Sequence, residues 1–249
     1  MLLTSAKRLL NTAINRVLRH FNYQLRRIQT EFDLRLTFEH LLAHQYLQAA
    51  DFFFVQIGAH DGVSFDGLHE FVTTHHCRGV VVEPVQDYFT ELKKNYSAFP
   101  EITPVNLGIH ASSKSFEIFR VDPNREQEFP SWVRGSASML KSHLQQYEFL
   151  DGSVITEKIR CVTFGELIEQ NKIKQIDLLQ IDVEGYDFEI LRMIDFSLIS
   201  PKMIKYEHRM LSFQDQQSAR DLLCGNGYSL WNDGEDTVAV LRDGETKSP

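Results

Sequence analysis

The sequence is short of the residues that staple or metallate a small fold. Its three cysteines, Cys77, Cys161 and Cys224, lie far apart with no CxxC spacing. That excludes a disulfide framework and a cysteine-rich zinc site, and it fits a reducing compartment. No run of about 18 apolar residues occurs, so no membrane-spanning helix is expected. The opening MLLTSAKRLLNTAINRVLRH lacks the continuous apolar stretch of a secretory signal, and the expected address is cytoplasmic. Phosphate-binding signatures are missing too: the chain has neither GxGxxG nor GKS or GKT.

What is present suffices for a sizeable core. The 249 residues, 43% hydrophobic and 24% charged, suit one α/β domain with an N-terminal appendage. Residues 1–28 hold Lys7, Arg8, Arg16, Arg19, Arg26 and Arg27 and no acid, which gives +6; with a total of −8, the remainder carries −14. Apolar residues in this arm, among them Ala6, Leu9, Leu10, Ala13, Val17 and Phe21, recur at three-to-four spacing and form one stripe of a basic amphipathic helix. Such a helix docks either peripherally on an anionic membrane or on protein, the acidic body or a second copy in self-association. The acidic body argues against a nucleic-acid partner, which would need a basic field.

From Leu36 onward the pattern alternates. A helix is expected over residues 36–50, then strand 52–57, helix 65–74, strand 79–83, helix 87–96 and strand 102–107. Residues 112–162 break the rhythm with two extended segments, SFEIFRVD and ITEKIRCV, around a polar stretch containing GSASML and a short helix; this is read as an insertion or lid. The alternation resumes with helix 164–171, strand 177–181, helix 186–194, strand 203–207 and helix 214–224. A hairpin closes the chain around Asn232, Asp233 and Gly234. Alternating strands and helices predict a parallel sheet covered on both faces. The expected organisation is an arm over residues 1–50 and a domain over 51–249.

The segment FFFVQIGAHDG runs from an apolar strand into Gly58 and Gly62, with His60 and Asp61 between them. Glycine on the loop after the first strand permits a sharp turn and close approach of a ligand. Glu83 ends the next apolar strand, GVVVE, where a carboxylate can accept hydrogen bonds from both hydroxyls of a ribose. Together these point to an adenosyl cofactor. The loop offers no seat for a pyrophosphate, which suits S-adenosylmethionine, a cofactor without phosphates.

The segment DLLQIDVEGYDFEILRMI carries a buried strand into Asp182, Glu184 and Gly185 and then into an apolar-faced helix. Here the sequence resembles the FkbM family of S-adenosylmethionine-dependent methyltransferases, through IDVEG itself and through FVQIGAHDG, VVVEPVQDYFTELKKNY, ITPVNLGIHASSKSFEIF and VTFGELIEQNKIKQ. The resemblance covers roughly residues 52–232. It implies a class I methyltransferase, Rossmann-like, with a seven-stranded, mostly parallel sheet whose antiparallel strand comes from the terminal hairpin. It further implies that Gly58 and Gly62 flank the methionine part of the cofactor, that Glu83 holds the ribose, that Asn106 lies near the adenine, and that Asp182 faces the methyl-transfer site. Many relatives have an acid where Gln56 stands and an asparagine where His60 stands; Asp61 is the expected substitute toward the cofactor's amino group.

The family's chemistry implies O-methylation of a hydroxyl on a sugar, glycan or secondary metabolite. An alcohol needs a general base as its proton leaves, a contribution of about 100- to 10,000-fold. His208 in KYEHRML is the first candidate, with Asp182, Glu184 and Glu207 at neighbouring strand ends as the others. Those carboxylates could instead hold magnesium, but the metal-free reading is adopted, since they can equally hydrogen-bond cofactor or acceptor. Two rivals remain: an NAD-linked oxidoreductase, opposed by the missing GxGxxG, and a non-catalytic adaptor that docks a membrane through its arm, opposed by the retained glycines, Glu83 and IDVEG.

Overall fold

The computed structural model describes residues 37–112 and 114–242; the basic helix expected over residues 1–28 lies outside the described residues. The first described helix, α1 (Phe38–Gln48), starts where Thr37 caps it: the Thr37 hydroxyl accepts from the His40 amide and the His40 ring accepts from the Thr37 amide. It buries Phe38 and Leu42.

Five elements follow in the expected alternation: β1 (Phe53–Ile57), α2 (His69–Thr74), β2 (Arg78–Val82), α3 (Gln86–Asn95) and β3 (Ile102–Val105). Helix α2 starts four residues later than its sequence pattern predicts. The preceding loop satisfies its own donors, since Asp61 accepts from the amides of Val63 and Ser64 and Asp66 accepts from that of Leu68. Phe65 sits there at φ +60°, outside helical geometry.

Next comes the insertion, with β4 (Gly108–Ile109), β5 (Ser115–Val121), α4 (Lys141–Gln145) and β6 (Val154–Val162). The two predicted extended segments pair antiparallel, from Ser115 opposite Arg160 to Val121 opposite Val154, and β4 joins β6 in parallel. This small sheet packs Ile118, Ile159 and Cys161 against Val85 and Tyr88 beside and on α3. The chain then returns to the main sheet through α5 (Phe164–Gln170), β7 (Leu178–Ile181), α6 (Asp187–Met193), β8 (Met203–Glu207), α7 (Phe213–Gly225) and the hairpin β9 (Tyr228–Asp233) and β10 (Asp236–Leu241). Gly234, at φ +79°, makes the hairpin turn.

The main sheet has the order β3-β2-β1-β7-β8-β10-β9, parallel except where β10 runs antiparallel to both its neighbours. Its central strands read FFVQI, RGVVV and LLQI because both faces are covered. On one face Val55, Ile57 and Leu179 meet Leu167, Leu191 and Leu223 of α5, α6 and α7. On the other, Phe54, Val81 and Leu178 meet Leu42, Val72 and Leu92 of α1, α2 and α3. Strand order reverses between β1 and β7, so the carboxyl ends of β1, β2, β7 and β8 surround the point where an open α/β sheet binds ligands. No described helix is long and apolar enough to cross a membrane.

Candidate active site

Gly58 leaves β1 at φ +85° and Gly62 follows at φ +73°. Both are glycines because the fold crowds them. A Cβ on Gly58 would overlap the carbonyl oxygen of Asp182 at the end of β7, and one on Gly62 would press into Leu92 and Tyr96. Room for a ligand is therefore not what selects glycine at these two positions, although Gly58 does border the site.

Between them His60 adopts φ +49°, and its amide donates to Glu83 Oε2 at 2.9 Å, while the Val85 amide donates to Oε1 at 2.8 Å. Glu83 thus ties the first loop to the second, and each oxygen keeps a second lone pair for a ligand hydroxyl. Burial pushes its carboxyl up to about 8, against the pull of those two amides. Asp61 behaves oppositely. Burial would raise it, but hydrogen bonds from Ser64 and Val63 outweigh burial and hold it at about 2. Its oxygens are spent on the loop, and it borders neither cavity described below. The neutral form of His60 is favoured by burial, which lowers its pKa, and its Nε2 has no partner. Asn106 donates to the carbonyls of Glu83 and Pro84, at 3.0 and 3.1 Å, and so braces the second loop.

Two cavities open at the carboxyl edge. The larger, of about 430 Å³, falls within the ~300–1,000 Å³ usual for small-molecule sites. Gln56 and Gln180, paired across β1 and β7, border it with buried, unpartnered Oε1 atoms. The smaller is a mainly apolar cleft that includes Leu107, Ile109, Ile118 and Met139 and has Glu83 at its rim. The two share Gly58, His60, Gly135, Asp182 and Glu184.

Carboxylates dominate the larger cavity: Asp66, Asp182, Glu184, Glu207 and Glu235 border it. Asp182 opens onto cavity space yet is enclosed by so much protein that desolvation, then Glu184 and Asp236, push its carboxyl up to about 7. Glu207, at the end of β8, is 9% exposed with Oε2 unpartnered; burial first, then Glu184 and Asp182, push it up to about 9. Among the described residues bordering the cavity, Arg209 is the one Lys or Arg, and it pairs with Glu235. No group of three or more His, Cys, Asp or Glu among the described residues is placed to hold a metal ion.

The structure separates His208 from this set. Its ring Nδ1 lies 3.1 Å from Thr237 Oγ1, and it borders neither cavity, while its neighbours Glu207 and Arg209 border the larger one. Besides His60, the histidine that reaches the cavity is His143 of α4, whose Nε2 lies at ion-pair distance, 3.1 Å, from Glu184 Oε2 without hydrogen-bond alignment. Glu184, at φ +55°, is further held through its carbonyl by Ser138 Oγ at 2.8 Å. Trp132 and Tyr147 of the insertion, with ring centroids 5.1 Å apart, and Phe65 form an aromatic rim. From sequence His143 reads as lining the insertion without chemistry, and Trp132 and Tyr147 carry no signal, because residues of an insertion follow no strand-end rule. Gln180 was missed as well; the signal that could have found it is a second polar residue, like Gln56, inside an apolar strand.

The chain matches the Methyltransferase FkbM domain over residues 56–230, from the end of β1 into β9, which includes Gln56, Gly58, Glu83, His143, Gln180, Asp182, Glu184 and Glu207. It belongs to the FkbM methyltransferase family. Among curated proteins no sequence matches it. Solved structures similar to it include the fibrillarin pre-rRNA processing protein of Methanococcus jannaschii, at 13% identity and a TM-score of 0.40 over 77% of this chain and 66% of that one. A precorrin-6y C5,15-methyltransferase of Geobacter metallireducens follows at 12% identity and 0.41, over 86% and 94%. A methyltransferase FkbM of Methylobacillus flagellatus is similar at 12% identity and 0.45, over 76% of this chain and 43% of that one. The chain thus spans less than two thirds of the length of the first and third of these. Its sheet, with one antiparallel strand set between β8 and β9, is that of the class I methyltransferases, as the FkbM resemblance implies.

Proposed function

We propose that this FkbM-family protein transfers a methyl group from S-adenosylmethionine to a hydroxyl of a sugar, glycan or other small metabolite. The observation that carries the reading is the charge of the larger cavity. Five carboxylates border it, the one arginine is already paired, and Asp182 and Glu207, which keep their protons in the empty site because burial and the neighbouring acids oppose ionisation, can release them to an arriving cation. Such a site fits a cationic guest and opposes the two phosphates of a nicotinamide dinucleotide. When bound, S-adenosylmethionine supplies an electrophilic methyl carbon on a sulfonium.

The chain's own residues divide the remaining work. Glu83 offers its free lone pairs to ribose hydroxyls, and the apolar cleft of Leu107, Ile109, Ile118 and Met139 takes the adenine. Gln56, Gln180 and Asp182 meet the methionine end, where Gln56 and Gln180 present unpartnered oxygens. His143 serves as general base: with Nε2 turned to Glu184, Nδ1 remains to take the acceptor's hydroxyl proton, and the carboxylate stabilises the imidazolium that forms. Calorimetric titration tests the reading. S-adenosylmethionine and S-adenosylhomocysteine should bind and NAD should not, and Glu83→Gln should weaken both adenosyl ligands about tenfold or more, because an amide nitrogen replaces one acceptor oxygen. Binding of NAD without either adenosyl compound overturns it.

A further inference from the structure

The cavity holds more negative charge than the cofactor assigned above would use. Asp182, which also borders the adenosine cleft, lies at the end of β7, Gln56 and Gln180 lie beside it near the ends of β1 and β7, and Glu184 is at ion-pair distance from His143. Glu207 is left over. It stands one strand farther out, on β8, nine-tenths buried, with Oε2 bonded to nothing and bordering the cavity. The same cavity is bordered by three aromatic rings of which two are substantially open, Phe65 at 67% and Trp132 at 40% exposure, with Tyr147 beside Trp132.

A buried carboxylate that shares a cavity with aromatic rings is the arrangement that recognises an organic cation: the carboxylate supplies the counter-charge and the ring faces supply cation–π attraction. With a neutral acceptor Glu207 keeps the proton that burial and its acidic neighbours hold on it, whereas an ammonium placed against it stabilises the ionised form; an anionic acceptor would meet Glu184, Glu207 and Glu235 together. Arg209 does not relieve Glu207, because it is paired with Glu235.

From this juxtaposition we propose that the acceptor carries a protonated amine, an amino sugar or comparable amino alcohol, whose ammonium is held by Glu207 beneath the Trp132–Tyr147 rim while a hydroxyl is offered for methylation. The assignment deepens the methyl-transfer reading and rests on it for deciding which wall of the cavity belongs to the cofactor.

The test titrates D-glucosamine, D-glucose, N-acetyl-D-glucosamine and D-glucuronate into the full chain by calorimetry, below the pKa of the amine, with and without saturating S-adenosylhomocysteine. D-Glucosamine should bind about tenfold tighter than the two neutral sugars, and D-glucuronate weakest. Glu207→Gln should bring D-glucosamine within about threefold of D-glucose, with S-adenosylhomocysteine affinity unchanged and the melting temperature no lower than that of the wild type. Trp132→Leu, at a part-exposed position where folding is not at stake, should weaken D-glucosamine about fivefold. Neutral sugars binding as tightly as the amine, no binding by the amine, or an undiminished preference in Glu207→Gln overturns the proposal. A failure of the methyl-transfer reading shows separately, as absence of S-adenosylhomocysteine binding, while the amine preference is still read in the arm without that compound.

Discussion

Gly58→Ala would set a methyl group on the Asp182 carbonyl in a backbone held at φ +85°. The left-handed conformation alone costs a non-glycine residue about 1–3 kcal/mol, and the overlap forces β1 and β7 apart at their ends. We expect destabilisation of about 3 kcal/mol or more by denaturant unfolding. Gly67→Ala is the control: a Cβ there meets nothing within 4 Å, and its effect should stay within about 0.5 kcal/mol. A mild Gly58→Ala would return that glycine to the ligand. The histidines give a second paired test at this scale. His143→Ala should lower turnover about 100-fold or more while cofactor affinity, read by calorimetry, stays near wild type, because a base acts on the acceptor proton. His208→Ala should leave turnover near normal, since that ring is turned to Thr237. The reverse outcome would restore His208 as the base and remove His143.

At the scale of elements, the insertion is fastened to the main fold through Arg120 on β5. This side chain is 1% exposed, bonds Asp87, Glu126 and Glu157 at 3.1–3.2 Å, and lies 4.6 Å over the Tyr88 ring of α3. Arg120→Leu removes the cation shared by three partly exposed carboxylates, of which Glu126 keeps Arg134, so about 2–3 kcal/mol of lost stability is expected, less than the 3–5 kcal/mol typical of a fully buried pair. Tyr88 borders the adenosine cleft, so thermal melts should show a smaller stabilisation by S-adenosylhomocysteine in this variant; an undiminished stabilisation would mean that Tyr88 keeps its place without Arg120. The same element marks the boundary of what sequence could tell. Strands β1, β2, β7 and β8 were legible because burial on both faces leaves unbroken apolar runs, and their terminal residues Gly58, Glu83, Asp182 and Glu207 follow from the rule that ligands meet strand ends. The pairing of β5 with β6 was not, because the residues between them form single turns with no period. His143 reaches Glu184 across 41 positions of chain, a contact set by tertiary packing that no local spacing encodes. The position of the His208 ring was illegible for the complementary reason: sequence gives a strand end but not the direction in which the next ring turns.

Across the whole molecule, the acidic edge of the sheet sets how stability answers to pH. Glu83, Asp182 and Glu207 are raised to about 8, 7 and 9, each chiefly by burial, from ordinary values of 4.5, 3.8 and 4.5. Between those ordinary and raised values the folded protein holds protons that the unfolded chain has lost. Unfolding then releases protons, and stability falls as pH rises from about 5 to about 9. Asp66 and Asp187, also raised by burial, add to this fall, while His60, lowered by burial from 6.5, works in the opposite sense. Asp61, held at about 2, contributes stability that is lost only in acid, below this window. The ligand-free protein should therefore melt at a lower temperature at pH 9 than at pH 6, and scanning calorimetry in matched ionic strength reads this directly. The same linkage separates the two adenosyl ligands. A sulfonium favours ionised carboxylates and a neutral thioether does not, so S-adenosylmethionine should gain affinity over S-adenosylhomocysteine as pH rises through about 7, where Asp182 titrates. Asp182→Asn should flatten that difference. A difference already independent of pH in the wild type would place the sulfonium away from Asp182 and undo the assignment of that carboxylate to the methyl-transfer site.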